Sequence, residues 1–235
     1  MGELSEFLQG LSDDLKHPVV LEPPLKKDLL ARVEGVIRSS PAEHAGLKKG
    51  DIITTVDGKK VISGVEAFFQ IQKALDPLLE VRRSEKDAEN FLDKSITIKL
   101  SKKGGEPSGV VFSYDLEADS VSRVNTRARN RRSPFLLTSR AAAPLWEAAK
   151  RELLLPRELC ISIVENGFFG GSICCAGLLT VSDFEKNLQK LLKLEVIPDL
   201  VIVPLKPFDG KGFDLRGDHF QKLPAAFPQL SFSFL

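Results

Sequence analysis

The stretch Ser40-Pro41-Ala42-Glu43-His44-Ala45-Gly46-Leu47-Lys48-Lys49-Gly50-Asp51-Ile52-Ile53 decides the fold of the first part of the chain. Its serine and the proline after it are suited to begin a helical turn, and Gly46 is suited to end it. A second glycine, Gly50, allows a tight turn into an apolar run over residues 52–56, which predicts a strand. Asp57-Gly58 then predicts a hairpin turn.

Further elements are expected on both sides of this stretch. Residues 31–37 have the composition of a strand, and residues 64–75 place apolar side chains along one side of a helix. Residues 78–82 and 95–100 are interpreted as paired strands. The charged segment 84–94 between them is interpreted as a solvated loop.

This order of elements resembles a PDZ domain over residues 29–101. The matching residues are Ser40-Pro41-Ala42, Ala45-Gly46-Leu47, Gly50-Asp51-Ile52-Ile53 and Val56-Asp57-Gly58. The resemblance implies a PDZ-like β-sandwich or barrel with two helices, in a domain that we place at residues 28–117. It also implies a mechanism, in which an extended peptide adds to a sheet edge and backbone amides hold its C-terminal carboxylate.

The peptide groove is expected between the strand near 31–37 and the helix 65–75. The candidate peptide-binding residues are Leu29, Leu30, Ala31, Val33, Val65, Phe68 and Phe69. The carboxylate loop should precede the first ligand-facing strand, but Lys26-Lys27-Asp28-Leu29-Leu30 at that place has no glycine. Lys26 or Lys27 could supply the positive charge instead, and a role of this face in packing between domains is an equal alternative.

Two segments outside this domain have distinct compositions. Residues 1–27 are interpreted as a leader, with an amphipathic helix over 5–15 and a proline-rich end. Residues 118–134 are interpreted as a basic linker. Its arginines are Arg123, Arg127, Arg129, Arg131 and Arg132. They could bind phosphate or an acidic partner, although a solvated linker is favoured. No aromatics interleave them, so base stacking on a single strand is not supported. A nucleic-acid adaptor that uses these arginines is a third, weaker alternative.

Residues 135–235 alternate strand-like and helix-like segments, which predicts a small α/β domain and a mixed α+β and α/β fold class for the whole chain. The expected strands are 135–138, 160–164, 172–176 and 200–203, and the expected helices are 140–153 and 182–192, begun by Ser139 and Ser182. Residues 230–235 alternate as a final strand would. An alternative for the tail Ser233-Phe234-Leu235 is that it docks in the peptide groove.

The stretch from Asn166 to Asp183 resembles part of a domain of unknown function that closes a group of bacterial iron–sulfur oxidoreductases. The matching residues are Thr138, Asn166, Phe168-Phe169-Gly170-Gly171, Ile173, Ala176-Gly177-Leu178-Leu179-Thr180, Asp183 and Val203-Pro204. The resemblance covers about residues 135–223. In that group a PDZ-like domain comes first and a radical S-adenosylmethionine domain lies between the two. The cysteine motif of that middle domain is absent here, so a radical-SAM iron–sulfur protein is expected as a partner and not as part of this chain.

A glycine-rich turn in this second region is a candidate anion site, because its backbone N–H groups could face a ligand. Its candidate residues are Asn166, Phe168, Phe169, Gly170, Gly171, Ser172, Thr180 and Asp183. The favoured alternative is a hairpin whose phenylalanines fill the core. An enzyme that uses Asp183 or a cysteine at this turn is a further alternative, but no catalytic set is recognisable in the sequence.

Composition limits the remaining functions. The 235 residues include 33 Lys and Arg and 32 Asp and Glu, for a net charge of +1, which disfavours a polyelectrolyte partner. The apolar runs are too short for a membrane span. The three cysteines, with Cys174 and Cys175 adjacent, fit a reducing compartment, and a cytoplasmic location is expected. They also lack metal-site spacing, so no metal and no cofactor are expected. The favoured function is therefore binding of a protein or of a peptide C-terminus.

Overall fold

The computed structural model of the chain describes residues 26–87, 90–170 and 175–235. The expected leader helix over 5–15 lies outside the described residues. So do Gly171, Ser172 and Cys174, together with most of the strand expected over 172–176.

Six strands of the described chain form the first sheet, in the order β5-β4-β2-β1-β6 with β3 beside β2. Its elements are β1 (Ala31–Val36), α1 (Pro41–His44), β2 (Ile52–Val56), β3 (Lys59–Lys60), α2 (Gly64–Lys73), β4 (Leu78–Asp87), β5 (Asn90–Lys99) and β6 (Val110–Phe112). Each pair is antiparallel. The core lies between this sheet and α2, where Val33, Ile71 and Leu79 are fully buried. The predicted fold class and the two helices are confirmed.

Serine side chains begin both helices of this first sheet. The Glu43 N–H donates to Ser40 Oγ at 3.3 Å, and the Glu66 N–H donates to Ser63 Oγ at 3.1 Å. The second cap was not anticipated. Helix α2 ends at Lys73, two residues before the predicted end, and Leu75 is left exposed.

The prediction of a solvated loop over 84–94 is wrong, because β4 and β5 pair continuously from Leu78 opposite Lys99 to Asp87 opposite Asn90. The charged composition of this segment does not prevent backbone pairing, because the pairing uses only backbone N–H and C=O groups. Opposite charges also face each other across the ribbon. Arg82 lies 3.8 Å from Asp93.

The prediction of a solvated linker over 118–134 is also wrong, because α3 (Ala118–Ala128) occupies most of it. Val121, Val124 and Ala128 are buried at helical spacing, and they join the core of the second region. The helix was not predicted because its apolar stripe has only these three residues, in a segment that also contains five arginines. The domain boundaries 28–117 and 135–235 themselves stay a prediction.

The second region is a three-layer α/β/α arrangement. Its elements are β7 (Pro134–Ser139), α4 (Ala143–Arg151), β8 (Cys160–Val164), α5 (Val181–Lys193), β9 (Leu200–Val203), α6 (Lys222–Ala226) and β10 (Phe232–Phe234). In the described chain its sheet has the order β10-β9-β7-β8, with every pairing parallel. Leu136 packs on the face covered by α3 and α4, and Leu137 packs on the face of α5. The predicted α/β layer and the strand buried on both faces at 200–203 are confirmed.

Two helix ends of this region differ from the prediction. Helix α4 is shorter than residues 140–153, and Leu153 is exposed with a positive φ of 59°. The residue that caps helix α5 is Thr180 and not Ser182. In this capping box the Thr180 N–H donates to Asp183 Oδ2 at 2.9 Å, and Asp183 is buried, with 2% of the residue exposed.

The C-terminal tail forms β10, and its neighbour in the sheet is β9. Phe232, Ser233 and Phe234 lie opposite Val201, Ile202 and Val203, and the Leu235 N–H donates to the Val203 carbonyl at 3.0 Å. The predicted final strand is confirmed. Docking of this tail in the peptide groove is wrong for this arrangement, because its backbone is already paired.

A buried ion pair fixes the turn that the opening stretch predicted. Asp51 is 1% exposed. Its carboxylate accepts hydrogen bonds from the Lys48 N–H at 2.8 Å and from Arg83 Nε and Nη2 at 2.7 Å and 2.6 Å. The two-pronged pairing connects the start of β2 to β4.

We expect Asp51→Ala to lower the free energy of unfolding by about 3 kcal/mol, because it leaves a mostly buried guanidinium without its carboxylate. Urea unfolding followed by circular dichroism measures this. Asp119→Ala is the control, since its side chain is 78% exposed, and the change there should stay within about 0.5 kcal/mol. Equal effects of the two substitutions would contradict the importance of the buried pair.

Candidate functional site

Strand β6 lies at one edge of the first sheet and β5 at the other, whereas β1 lies inside the sheet. Strand β1 lies between β2 and β6, whereas no described strand pairs with the far side of β6. An incoming peptide can add only to an unpaired strand edge. The predicted groove wall at 31–37 is therefore wrong, and β6 takes its place.

The residues proposed for that wall are held in the interior or face elsewhere. Ala31 and Val33 are 3% and 0% exposed within the first core. Leu29 packs into the core of the second region, beside residues of α3 and α4. Leu30 is partly exposed and precedes the strand. These four residues were predicted to bind the peptide because the first strand along the chain was expected to face the ligand.

The register shows which backbone groups of β6 face outward. The Ile37 N–H donates to the Gly109 carbonyl at 2.9 Å, and Val36 lies opposite Val110. In an antiparallel ladder this makes Gly35 and Val111 the hydrogen-bonded pair. The N–H and C=O groups of Val110 and Phe112 therefore point to the outer edge, where a peptide strand could pair with them.

A glycine-containing loop leads into β6. The carboxylate loop was expected to contain a glycine and to precede β1. Gly109 has a φ of +79°, and a Cβ built there would lie 2.1 Å from the Ser40 Cβ. The Ala42 N–H donates to the Ser108 carbonyl at 3.0 Å, which anchors the loop on α1. Only glycine fits this position without rearrangement. The signal was present in the sequence as Ser108-Gly109-Val110, but it lies about 75 residues after β1 along the chain.

Helix α2 forms the opposite wall. Gln72 Nε2 donates to Ser108 Oγ at 3.1 Å, and at the other end the Val65 N–H donates to Asp115 Oδ1 at 3.0 Å. The face between these contacts carries Phe68 and Phe69, which are 38% and 62% exposed. Phe68 and Phe69 are therefore exposed side chains of α2, whereas Val65 is 8% exposed. Their role in binding stays a prediction.

Charged side chains fix both ends of α2. The Asp115 side chain is fully buried and accepts from the Gly64 N–H at 2.8 Å as well as from Val65. At the C-terminal end Lys102, 4% exposed, donates to the carbonyls of Ile71 and Gln72 at 2.7 Å and 2.9 Å. Each charge opposes the helix dipole at its own end, which stabilises the helix where it borders the groove.

Lys26 does not lie near the glycine loop. Its Nζ is 2.6 Å from Asp115 Oδ2, at the end of α2 opposite to Ser108 and Gly109. The prediction that this lysine supplies charge to a peptide carboxylate is wrong in this arrangement. The Lys27 carbonyl instead accepts from Arg151 at 3.3 Å.

The described part of the glycine-rich turn has mainly structural contacts. Asn166 Nδ2 donates to the Leu178 carbonyl at 2.8 Å, and the Gly167 N–H donates to Asp183 Oδ1 at 2.9 Å. Thr180 and Asp183 form the cap of α5. Asn166, Thr180 and Asp183 therefore have protein partners, which weakens the anion-site prediction without testing Gly171 and Ser172.

The alternative for this turn, in which its phenylalanines fill the core, is wrong. Phe168 and Phe169 are 47% and 48% exposed. Their rings pack edge to face with centroids 4.7 Å apart, and Arg216 lies over the Phe168 ring at 5.3 Å. Gly170 has a φ of +67°, which accounts for the glycine at this turn.

The described residues contain no group of three or more His, Cys, Asp or Glu side chains that could hold a metal ion. Cys160 and Cys175 are exposed thiols. Within the same ranges, the helices are too short or too polar for a membrane crossing.

Comparison with known proteins agrees with the architecture of the first sheet. Residues 32–83 match the family model of the PDZ domain, so the chain contains a PDZ domain. A stretch of 79 residues is 37% identical to serine protease HTRA1 from Xenopus laevis, covering 34% of this chain and 17% of that protein. The chain thus spans 17% of the length of this curated relative.

A solved structure is also similar to part of the chain. It is the crystal structure of the HtrA3 PDZ domain bound to a phage-derived ligand, FGRWV. The sequence identity is 23% and the TM-score is 0.23, with 40% of this chain and 78% of that chain covered.

We expect Gly109→Ala to destabilise the protein by more than about 2 kcal/mol, because the added methyl group meets Ser40 and the backbone has a positive φ. Thermal unfolding of the full chain measures the loss. Gly46→Ala is the matched control: its φ is +80° but no atom lies within 4 Å of the added Cβ, so only the strain of about 1 kcal/mol remains. A loss at Gly109 no larger than that at Gly46 would contradict the close approach of the loop to α1.

Proposed function

We propose that the chain binds the C-terminal peptide of a partner protein in the groove between β6 and α2. The peptide adds as a further strand to the outer edge of β6, antiparallel to it. The single observation that supports this best is the position of β6 at the edge of the described sheet, with the Gly109 loop at its start and α2 alongside.

The chemistry of the groove favours an apolar C-terminal residue. Val65 and Val110 lie at its base, 8% and 5% exposed. Phe68 and Phe69 form an edge-to-face pair with centroids 5.7 Å apart on the α2 wall. An apolar side chain that enters between these walls removes further apolar surface from water.

A finer proposal concerns the partner and its location. The resemblance of residues 135–223 to the closing domain of PDZ and radical-SAM proteins supports a partner that is a separate radical-SAM iron–sulfur enzyme. The exposed thiols of Cys160 and Cys175 agree with a reducing compartment. We therefore propose an accessory role beside such an enzyme in the cytoplasm.

For the peptide groove, we expect fluorescent heptapeptides that end in Val, Leu or Phe with a free carboxylate to bind the full chain with micromolar affinity. The C-terminal amides of the same peptides should bind at least about tenfold weaker, because the loop amides lose their anionic partner. Fluorescence anisotropy measures both. Equal affinity of acid and amide would contradict capture of the C-terminus.

Variants of α2 test where the peptide lies. Phe68→Ala and Phe69→Ala each truncate an apolar side chain on the groove wall, so we expect peptide affinity to fall by a factor of about 5 to 50. Leu75→Ala is the control, since Leu75 is 72% exposed beyond the end of the helix. Loss of affinity in Leu75→Ala alone would place the peptide elsewhere.

The partner proposal has its own test. The immobilised full chain should bind an anaerobically reconstituted radical-SAM protein from the same organism, and an excess of the best heptapeptide should compete. Biolayer interferometry measures this binding. Peptide binding without enzyme binding would reject the partner and leave the groove assignment intact.

A further inference from the structure

A cavity lined by described residues lies outside the peptide groove. It has a volume of about 640 Å³, within the range of about 300–1,000 Å³ that small-molecule sites have. One wall comes from the segment after β6 and from α3, and the other comes from the second region. Neither the peptide groove nor the glycine-rich turn accounts for it.

The cavity lies at a topological switch point of the parallel sheet. The chain leaves β7 toward α4 on one face of the sheet, whereas it leaves the adjacent β9 toward α6, which packs on the other face with α5. Parallel α/β sheets bind ligands in the crevice beyond the carboxyl ends of such diverging strands. Thr138 and Ser139 at the end of β7, and Pro204 and Lys206 just after β9, all line this cavity.

The walls are mainly apolar. Leu136, Ile202 and Trp146 line the floor beneath the strand ends, and Val124 and Leu145 line the sides. A cavity of this size and character takes the hydrocarbon part of a small molecule, since burial there removes apolar surface from water.

Groups that could bind a polar head group of the ligand lie together at one place in the cavity wall, at Thr138 and the start of α4. Thr138 is 2% exposed and lines the cavity, and its hydroxyl has no hydrogen-bond partner among the described residues. Beside it lies the start of α4, and the first turn of this fully described helix has no acidic side chain. The Ala142 N–H donates to Ser139 Oγ at 3.3 Å, Pro144 has no N–H, and the Leu145 N–H donates to the Ala142 carbonyl at 3.0 Å. The Ala143 N–H and the partial positive charge of the helix start therefore remain for an anion.

Basic side chains lie at the mouth of the cavity. Arg123 and Lys206 line it, with side chains 50% and 68% exposed, and they pair with Asp119 at 3.8 Å and with Glu117 at 3.9 Å. Of the two carboxylates that line it, Asp115 is engaged with α2 and Lys26, and Glu117 accepts from the Tyr114 hydroxyl at 2.8 Å. Partial desolvation raises the pKa of the Tyr114 phenol above its ordinary value, and the hydrogen bond to Glu117 adds to the shift. The phenol is therefore neutral at pH 7.

We propose that this cavity is a binding site for a small apolar molecule with one carboxylate group. The hydrocarbon part lies against Leu136, Trp146 and Ile202, and the carboxylate lies at Thr138 and the start of α4. This inference does not depend on the peptide groove, because the two sites use different walls.

The only tryptophan of the chain, Trp146, lines the cavity and reports on it directly. Decanoate added to the full chain should give a saturable change in tryptophan fluorescence, with calorimetry as a second measurement. Decanol should bind at least about tenfold weaker, since a neutral head group gains little from the helix N-terminus. Absence of saturable decanoate binding, or equal affinity for decanol, would overturn the proposal.

Two variants locate the ligand. Ser120→Phe fills the cavity from α3 and should weaken decanoate at least tenfold, whereas Ser122→Phe, on the exposed side of the same helix, should leave it unchanged. Thr138→Val keeps the side-chain shape and should weaken decanoate about fivefold by removing the hydroxyl, with thermal unfolding confirming that the variant is folded. Unchanged decanoate affinity in both Ser120→Phe and Thr138→Val would overturn the assignment to this cavity.

Discussion

The buried carboxylate of Asp115 is the interaction on which the arrangement of the two regions depends. It accepts from the first two N–H groups of α2 and pairs with Lys26 at 2.6 Å. It lies three residues after the end of the edge strand β6, and Leu116 beside it packs into the core of the second region. One side chain therefore fixes the groove helix, the end of the edge strand and the start of the second core.

This connection also places the two candidate sites next to each other. Asp115 holds the N-terminal end of α2 on the groove side and lines the cavity on the other side. The sites nonetheless use different chemistry. The groove presents backbone groups along a strand edge, which suits an extended peptide. The cavity is concave and mainly apolar, which suits a small molecule.

Local patterns in the sequence predicted the elements well where a pattern stays within one element. The turn from Gly46 to Asp51, the strand over 52–56 and the buried strand over 200–203 all appear as expected. Long-range pairing was not predictable in the same way. β6 pairs with β1 although about 75 residues separate them along the chain, and periodicity carries no information on such a partner.

The same difference applies to the candidate site, whose helix was predicted from the sequence and whose strand was not. The α2 residues Val65, Phe68 and Phe69 follow from helical spacing, and the helix that carries them was predicted, whereas their role in binding stays a prediction. The strand wall at 31–33 was misplaced, because the order of strands in the sheet differs from their order in the sequence. The helix at 118–128 was missed for a different reason: its apolar stripe is only three residues, Val121, Val124 and Ala128, among many charges.

The central claim, that β6 is the peptide-binding edge, is tested most directly by amide hydrogen exchange with and without a bound C-terminal peptide. The account predicts that the amides of Val110 and Phe112 become protected when the peptide is added, and that those of residues 29–33 do not change. Protection of residues 29–33 without any at 108–112 would contradict it.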